Sequence, residues 1–443
     1  MISERCCELL NAGAAERTRS VVVLGASGSV GGSTIEFLKS LKSIQNEANP
    51  EARMHLAALS VHGSVDRLRE ILREFPDTKF AAVTSDVAYD EHIAALRREF
   101  AGVVFFRGSD GALGMIEAAV DAGADTVLTA VVGAAGIQAT MLALRLGVKV
   151  ALANKETMVT AGPAIEALLR DQFAQATDEA SGQAGAGDAL DDAAPGKRPV
   201  ILPVDSEHNA IFQVIHGLRP DHIRRVILTA SGGPFRDWPI HKIQQVSRAE
   251  VLNHPTWSMG PKITVDSAGM INKGLELIEA HFLFSIPYAQ LDVLIHKDSY
   301  VHGMAETRDG GYLLCASRPH MVFPIAHALC YPDPVPAPHA MATRPEAWPG
   351  LEFEEVQPDR YPGYALCRAA GERGGTAPAI LNAANEEAVR LFLDGQIGFT
   401  GIPGLIESVL NALPVESGVQ LEIFLEADRA ARELARQTAQ KSD

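Results

Sequence analysis

The chain has 443 residues, of which 47% are hydrophobic and 21% are charged, and this composition is ordinary for a globular enzyme of roughly three domains. The formal net charge of −16 argues against a general nucleic-acid-binding surface. The five cysteines are scattered and include no C-x-x-C pair, which argues against a disulfide framework or a thiolate metal site and for a reducing compartment.

The beginning of the chain, residues 1–19, is interpreted as an N-terminal extension. It mixes charged residues into its apolar positions and lacks the continuous apolar core of a signal peptide. No apolar run in the chain is long enough to predict a membrane-spanning helix. We therefore expect a cytoplasmic protein with neither a membrane nor a nucleic acid as its partner.

The first motif that carries chemistry is a glycine-rich loop. The apolar strand 21–24 is followed by Gly25, Gly28 and Gly31 in the spacing G-x-x-G-x-x-G, and a helical pattern begins at Ser29. The free N–H groups and positive dipole end of such a helix can hold a pyrophosphate. The order of strand, glycines and helix favours a dinucleotide site, although the common fingerprint is G-x-G-x-x-G. The alternative is a tight strand–helix turn that binds no ligand.

The second predicted strand, residues 55–61, bears on the choice of cofactor. An NAD site usually has Asp or Glu near the end of this strand, where the acid accepts a hydrogen bond from the ribose. Here the strand ends without an acid, and His62, Ser64 and Arg67 are possible phosphate donors, while Asp66 lies further on. We therefore predict NADPH rather than NADH.

Composition and periodicity divide the chain further. Strands and helices alternate over residues 20–174, which predicts an N-terminal doubly wound, Rossmann-like, NADPH-binding domain. Residues 175–198 are rich in Ala, Gly and Asp and are interpreted as a flexible insertion. A central α/β catalytic domain is predicted over 199–331, a proline-rich connector over 332–358, and a C-terminal helical bundle over 359–443.

Three carboxylates in the central region predict a divalent-metal site. Asp205 and Glu207 are two residues apart, and in a strand or extended turn their side chains would point the same way. Glu276 could complete the site from another element. Hard oxygen ligands suit Mg²⁺ or Mn²⁺, with Co²⁺ possible, rather than zinc. A lone Asp-x-Glu pair is more often solvated surface charge, so this interpretation depends on the neighbouring motifs.

Two polar segments are suited to hold a phosphate. Ser231 follows a predicted strand and precedes two glycines, which is typical of either a phosphate nest or a simple β-turn. Ser267, Asn272 and Lys273 precede Glu276, and on a helix the spacing from Asn272 to Glu276 would place both on one face. The alternative for this second segment is a solvated helix face.

The segment 254–261 is predicted to be a lid. It carries Trp257 and Met259 between prolines and a glycine, and closure of such a loop would exclude water from a bound ligand. The alternative is a structural loop with Trp257 in the core.

Together these motifs resemble the 1-deoxy-D-xylulose 5-phosphate reductoisomerase family, from about residue 20 to about residue 435. The resemblance is carried by GASGSVG (25–31), ANKE (153–156), PVDSEHNAIFQ (203–213), SGGPFR (231–236), HPTWSMG (254–260) and NKGLE (272–276). It implies an NADP-dependent oxidoreductase and isomerase, typically a homodimer, of the non-mevalonate isoprenoid pathway. Such an enzyme rearranges and reduces a small-molecule sugar phosphate, 1-deoxy-D-xylulose 5-phosphate, to 2-C-methyl-D-erythritol 4-phosphate, using NADPH and a divalent metal.

The resemblance also implies a role for individual residues. The metal would be bound by Asp205, Glu207 and Glu276. The hydroxyl and carbonyl end of the substrate would be contacted by Ser206 and Lys155. The substrate phosphate would be held by Ser231, Ser267, Asn272 and Lys273, with His254 and Trp257 closing over it. NADPH would be bound by Ala26, Ser27, Gly28, Ser29, Val30, His62, Gly63, Ser64, Gly133, Asn154, Glu156 and Gly260.

The chain departs from the family pattern at three places. The family commonly has a basic or amide residue where Gly63 and Ser64 stand, and related chains often have Asp where His320 precedes Met321. The insertion 175–198 is also longer than usual. Two other functions stay open at this point: a metal-independent NADP-dependent sugar-phosphate dehydrogenase, and a non-catalytic NADP-sensing regulator. Metal dependence distinguishes the first, and a regulator should lose the acidic and phosphate-binding residues that this chain keeps.

Overall fold

A computed structural model describes the chain over residues 19–45, 54–131, 133–180, 201–253, 259–332 and 344–440. The described residues form two compact units. The first comprises 19–131 and 138–151, and the second comprises 133–137, 152–180 and 201–440, with the gaps just given. The boundaries of the three domains predicted from the sequence stay predictions.

The first unit is built on a parallel sheet. Its strands are β1 (Arg19–Leu24), β2 (Met54–Val61), β3 (Phe80–Val83), β4 (Val104–Arg107), β5 (Thr126–Thr129) and β6 (Lys149–Leu152). The helices between them are α1 (Ser29–Gln45), α2 (Val65–Glu74), α3 (Asp86–Glu99), α4 (Gly108–Asp121) and α5 (Ala134–Arg145). The strand order is β4–β3–β2–β1–β5–β6, and β1 is parallel to both β2 and β5. The order reverses direction between β1 and β5, as in doubly wound folds, so the predicted Rossmann-like architecture is confirmed.

The burial of β1 explains why its sequence is continuously apolar. Val21, Val22 and Val23 are fully buried, because a parallel strand in the middle of such a sheet is covered by helices on both faces. The glycine-rich loop therefore begins at the carboxyl end of β1, at the point where the strand order reverses.

The second unit has a mixed sheet and most of the helices. After the short β7 (Ile201–Pro203), its strands are β8 (Ile223–Ala230), β9 (Leu291–Ile295), β10 (Val301–Thr307), β11 (Tyr312–Ala316) and β12 (Glu354–Glu355). Their order is β11–β10–β8–β9–β12; β8 and β9 are parallel and the other pairs are antiparallel. Its helices are α6 (Lys155–Ala180), α7 (Ser206–Ile215), α8 (Ile240–Ile243), α9 (Arg248–Val251), α10 (Pro261–Ala268), α11 (Ile271–Phe284), α12 (Val322–Cys330), α13 (Pro362–Arg373), α14 (Ala377–Leu393), α15 (Gly401–Ala412) and α16 (Leu421–Gln440).

The C-terminal helices share a core with the helices that carry the polar motifs. Leu275 of α11, Ile380 of α14 and Ile406 of α15 belong to one buried cluster. The predicted C-terminal helical region is thus packed against α11 rather than separate from it. Two predicted segments contain regular secondary structure within the described residues: α6 runs on to Ala180, inside the predicted insertion, and β12 lies inside the predicted connector and pairs with β9. No helix in the described part of the chain is long and apolar enough to cross a membrane.

Candidate functional site

The glycine loop after β1 is shaped by two close backbone approaches. Gly25 has φ +75°, and a Cβ there would lie 2.3 Å from the Ala130 carbonyl oxygen. At Gly31 a Cβ would lie 2.1 Å from the Gly25 oxygen. Only glycine can occupy these two positions without moving the backbone. The loop thus brings the start of α1 against the end of β1.

The other loop residues differ in how accessible they are. Ser27, Gly28 and Ser29 are exposed at the start of α1, and Val30 is partly buried. Ala26 is fully buried, and its N–H donates to the Ser60 carbonyl at 2.8 Å. Of the five predicted contacts in this loop, Ala26 therefore has both its side chain and its amide already used by the fold.

The end of β2 carries the residues predicted to select the cofactor. His62, Gly63 and Ser64 are exposed, and His62 Nδ1 lies 3.0 Å from the Thr84 hydroxyl. The Ser64 side chain makes no capping bond at the start of α2, although Ser64 is its N-cap residue. The Arg67 guanidinium contacts two carboxylates, at 2.9 Å in Glu70 and 3.6 Å in Glu36. The strand tip therefore presents hydroxyl and imidazole groups and no acid.

The three predicted metal carboxylates converge in the second unit. One oxygen from each of Asp205, Glu207 and Glu276 lies within 4.8 Å of the others. Asp205 is the N-cap residue of α7 and Glu207 lies in its first turn, so the extended geometry that we predicted for this pair is wrong. The pair converges because one residue precedes the helix and the other begins it. Glu276 reaches the same point from the middle of α11 and is 1% exposed.

Close packing of α6 against α11 brings Lys155 to this cluster. A Cβ at Gly162 would lie 2.4 Å from the Phe282 ring, so only glycine allows this approach. The start of α6 is held by Asn154, whose side-chain oxygen accepts from the Thr157 N–H at 2.8 Å. Lys155 is the first residue of the helix and is therefore held where the two helices meet.

Two ammonium groups lie among the three carboxylates. Lys155 Nζ is 2.6 Å from Asp205 Oδ2 and 2.9 Å from Glu276 Oε1. Lys273 Nζ is 2.9 Å from Glu207 Oε1 and also contacts Glu276. These five side chains, which we call the acid–lysine cluster, alternate in charge.

Two polar side chains extend this cluster. The Asn272 side chain donates to Glu276 and accepts from Lys155, which confirms that Asn272 and Glu276 share one face of α11. The Ser206 hydroxyl donates to Glu207 at 2.6 Å. Polar groups that were predicted from separate motifs therefore meet in one place.

Charge in the acid–lysine cluster is unevenly distributed. Burial raises the pKa of Glu207 to about 8, and the neighbouring Glu276 and Asp205 carboxylates act in the same direction. Burial alone would raise the pKa of Asp205 too, but the Lys155 ammonium holds it well below its usual range. A dication among these oxygens would offset the repulsion that disfavours an ionised Glu207.

Sequence reasoning missed a buried histidine–glutamate pair behind the cluster. His208 Nε2 donates to the Glu276 carbonyl at 2.7 Å, and His208 Nδ1 lies 3.2 Å from Glu279 Oε2. Both side chains are at most 1% exposed. The signal was present in the sequence, because His208 and Glu279 each follow a predicted metal ligand, Asp205 and Glu276, by three residues and so lie one helical turn further on.

Two of the four predicted phosphate-binding residues, Ser231 and Ser267, lie on facing segments, whereas Asn272 and Lys273 lie at the start of α11. Ser231 follows β8, and its hydroxyl accepts from the Gly233 N–H at 3.3 Å. A Cβ at Gly233 (φ +68°) would lie 2.8 Å from the Ser267 carbonyl oxygen, so the loop and α10 are in close contact. The buried Tyr361 hydroxyl donates to the Gly232 carbonyl at 2.8 Å and holds this loop from the C-terminal side.

The predicted lid is only partly within the described residues. His254 and Trp257 lie outside them. Gly260 is exposed, caps α10, and accepts from the Thr264 hydroxyl at 2.8 Å. The lid itself stays a prediction.

His320 is another departure from the family pattern. Its ring accepts from the Val322 N–H at 3.1 Å and so helps to begin α12.

The chain matches models and members of one enzyme family over nearly its whole length. The family model of 1-deoxy-D-xylulose 5-phosphate reductoisomerase matches residues 21–162, and two models of its C-terminal domains match 201–284 and 316–434. A 1-deoxy-D-xylulose 5-phosphate reductoisomerase from Leptospira interrogans is 42% identical over 95% of this chain and 97% of its own. This chain belongs to the 1-deoxy-D-xylulose 5-phosphate reductoisomerase family.

Further members of the reductoisomerase family match over nearly the whole chain. A Geobacillus relative is 40% identical over 94% of this chain and 98% of its own. The structure of the Zymomonas mobilis reductoisomerase in complex with NADPH matches with a TM-score of 0.80 and 34% identity, over 96% of this chain and 99% of that one. A reductoisomerase in complex with NADPH, fosmidomycin and magnesium matches with a TM-score of 0.81 and 32% identity, over 95% and 98%.

Proposed function

We propose that this chain catalyses the NADPH- and divalent-metal-dependent rearrangement and reduction of 1-deoxy-D-xylulose 5-phosphate to 2-C-methyl-D-erythritol 4-phosphate, a step of the non-mevalonate isoprenoid pathway. The observation that carries the proposal is the acid–lysine cluster. In this cluster, carboxylate oxygens that can bind a metal lie beside two ammonium groups that can bind a phosphorylated, hydroxylated substrate. A plain dehydrogenase would not need three carboxylates at one point.

The residues present fit both the divalent metal and the NADPH that the reaction needs. Three carboxylate oxygens within 4.8 Å of one another suit Mg²⁺, with Mn²⁺ or Co²⁺ as alternatives. The glycine loop, whose close backbone approaches at Gly25 and Gly31 bring the start of α1 to the end of β1, suits the pyrophosphate of NADPH. When bound, the metal would supply a Lewis acid and NADPH the hydride.

The chain's own side chains would orient the substrate. We assign the carbonyl and hydroxyl end to Lys155 and Ser206, because both lie beside the metal carboxylates. We assign the phosphate end to Ser231 and Ser267 on their facing segments, together with Asn272 and Lys273 at the start of α11. Lys273 in the acid–lysine cluster and Asn272 beside it both donate to Glu276, so they can turn towards a phosphate only at the expense of these contacts.

The cofactor assignment rests on the first unit and on the start of α6. We assign the pyrophosphate to the loop residues Ser27–Val30, of which the first three are exposed, and the 2′-phosphate to the group formed by His62, Gly63 and Ser64. Asn154, Glu156, Gly133 and Gly260 are the further contacts that the family resemblance implies for NADPH. The absence of an acid at the end of β2 supports NADPH over NADH.

The deciding experiment is NADPH consumption with 1-deoxy-D-xylulose 5-phosphate, with and without exhaustive chelation. We expect turnover to 2-C-methyl-D-erythritol 4-phosphate that chelation abolishes and Mg²⁺ restores. Full turnover after chelation would favour the metal-independent dehydrogenase. Tight NADPH binding without any turnover, with metal present, would favour the NADP-sensing regulator.

We also propose that the predicted lid, residues 254–261, closes over the substrate. The support is its position: its last residues lead into α10, whose Ser267 is a proposed phosphate contact. Binding of a phosphonate–hydroxamate analogue should change tryptophan fluorescence, and Trp257→Phe should remove most of that change. Equal protease sensitivity of the segment with and without the analogue would speak for a structural loop instead.

We propose that the chain forms a homodimer through β11. This strand lies at one edge of its sheet, and Tyr312, Leu313 and Leu314 are 53%, 42% and 42% exposed. An exposed apolar edge strand is a template for pairing with a second chain. Leu314→Lys should convert a dimer to a monomer in analytical ultracentrifugation, whereas an unchanged sedimentation coefficient would exclude this strand from the interface.

We also propose a cytoplasmic location. The scattered cysteines support it, and cell fractionation would test it.

A further inference from the structure

Lys262 on α10 bridges two carboxylates from different helices. Its ammonium is 2.8 Å from Glu156 Oε1, in the first turn of α6, and 2.9 Å from Asp266 Oδ2, one turn further along α10. The carboxylate side chains are 14% and 1% exposed. Burial alone would raise the pKa of Glu156, but the Lys262 ammonium lowers it, so the pair is ionic.

Further interactions hold both carboxylates of the bridge in place. The second oxygen of Asp266 accepts from the Asn385 side chain of α14 at 2.9 Å, which fixes Asp266 from the opposite side. Glu156 lies in the first turn of α6 and is therefore also stabilised by the positive end of the helix dipole. Without the ammonium, two largely buried negative charges would face each other with no cation between them, and they would move apart.

Each end of the bridge is next in sequence to a residue of the proposed substrate site. Glu156 follows Lys155, whose ammonium contacts Asp205 and Glu276. Asp266 precedes Ser267, a proposed phosphate contact. The bridge therefore links the backbone next to Lys155, which we assign to the carbonyl end of the substrate, to the backbone next to Ser267, which we assign to its phosphate end.

We propose that Lys262 is a positioning residue that ties the first turn of α6 to α10 and so sets the distance between Lys155 and Ser267. This inference rests on the proposed function and deepens it. The competing role is a direct one, in which the Glu156–Lys262 pair serves NADPH. The two roles differ in which Michaelis constant they control.

The test compares Lys262→Met with a matched control, Arg432→Met. Arg432 makes the same kind of bridge between α14 and α16, at 2.8 Å to Glu386 and 2.7 Å to Asp428, and it is 23% exposed against 31% for Lys262. Among the described residues, the ion-pair partners of Arg432 are Glu386 and Asp428, and neither is a proposed substrate or cofactor residue. The control therefore reports what the loss of a two-carboxylate bridge does by itself to this unit.

For Lys262→Met we expect kcat/KM for 1-deoxy-D-xylulose 5-phosphate to fall by about 100-fold, the size that a misplacement of about 1 Å can cause. The KM for NADPH should rise much less, by under about tenfold, because Glu156 is only one of the proposed cofactor contacts. Arg432→Met should lower the melting temperature by a similar amount while kcat/KM stays within about threefold. Lys262→Arg should recover most of the activity, because a guanidinium fork can also reach two carboxylates.

A readout without turnover separates this inference from the proposed function. Amide hydrogen exchange in the first turn of α6 should accelerate in Lys262→Met and not in Arg432→Met, whether or not the wild type converts this substrate. If Lys262→Met does not fold, Lys262→Gln removes the same ammonium with a polar side chain and should show the same pattern. A raised KM for NADPH at unchanged kcat, or equal effects of the two Met variants on kcat/KM, would overturn the proposal.

Discussion

The substitution Glu276→Gln tests the acid–lysine cluster most directly. With all five groups ionised, the three carboxylates and two ammonium groups of the cluster carry a formal charge of −1, and the substitution makes it 0. Gln keeps the shape but turns one acceptor oxygen into an NH₂ group, which would face an ammonium or the Asn272 amide. Breaking buried ion pairs costs about 3–5 kcal/mol, and we expect the lower end because two carboxylates remain for two cations.

The effect of Glu276→Gln on catalysis should exceed any effect that its stability loss explains. Because one of three proposed metal ligands is lost, we expect kcat to fall at least about 100-fold, or about 2.7 kcal/mol, with weaker Mg²⁺ binding by calorimetry. Glu306→Gln is the matched control, since Glu306 also lies between two cations, at 2.7 Å from Arg224 and 2.5 Å from Arg225. Activity of Glu276→Gln within about threefold of wild type, roughly 0.7 kcal/mol, would refute its role as a ligand.

Three further predictions concern the cofactor loop, the phosphate loop and acid stability. Gly31→Ala should raise the KM for NADPH at least about tenfold, since its Cβ would lie 2.1 Å from a backbone oxygen, whereas Gly32→Ala, with no atom within 4 Å, should not. Tyr361→Phe removes the bond to the Gly232 carbonyl and should cost about 1 kcal/mol of stability and raise the substrate KM; an unchanged KM would count against a phosphate loop. Burial lowers the pKa of His302 from 6.5 to about 4, so the stability that its neutral form contributes is complete above pH 6.5 and is lost as the pH falls towards 4. Between these pH values the free energy of unfolding should fall by about 3 kcal/mol more in wild type than in His302→Gln, and parallel curves would contradict this.

The parts of the fold that follow from local sequence were predictable. The buried strand β1, the glycine turn and the start of α1 each depend on residues within a few positions of one another, and the structure confirms their order. The helical periodicity that places Asn272 and Glu276 on one face is equally local. The mixed sheet of the second unit was not predicted in this detail, because pairing β8 with both β9 and β10 depends on residues far apart in sequence.

The site itself shows where sequence reasoning reaches its limit. Asp205 and Glu207 were grouped correctly but for the wrong local reason, since the chain enters a helix at Ser206 instead of staying extended. The spacing of two residues is short enough that either conformation brings both carboxylates to one point. A metal site recognised by the types of its ligand residues can therefore be predicted even when the predicted secondary structure is wrong. The direction in which each side chain points cannot be predicted in that case.

The residues that sequence reasoning missed are those whose roles depend on a second helix. His208 becomes significant only when α7 packs against α11 and its ring meets the Glu276 carbonyl, and Lys262 only when α10 packs against the start of α6. Neither contact has a signature in the spacing of one segment, because each joins residues about 70 or more than 100 positions apart. Groups that touch a substrate are selected for their chemistry and can be recognised by residue type. Groups that hold those residues in place are selected for distance, and distance across two helices is visible only in the folded chain.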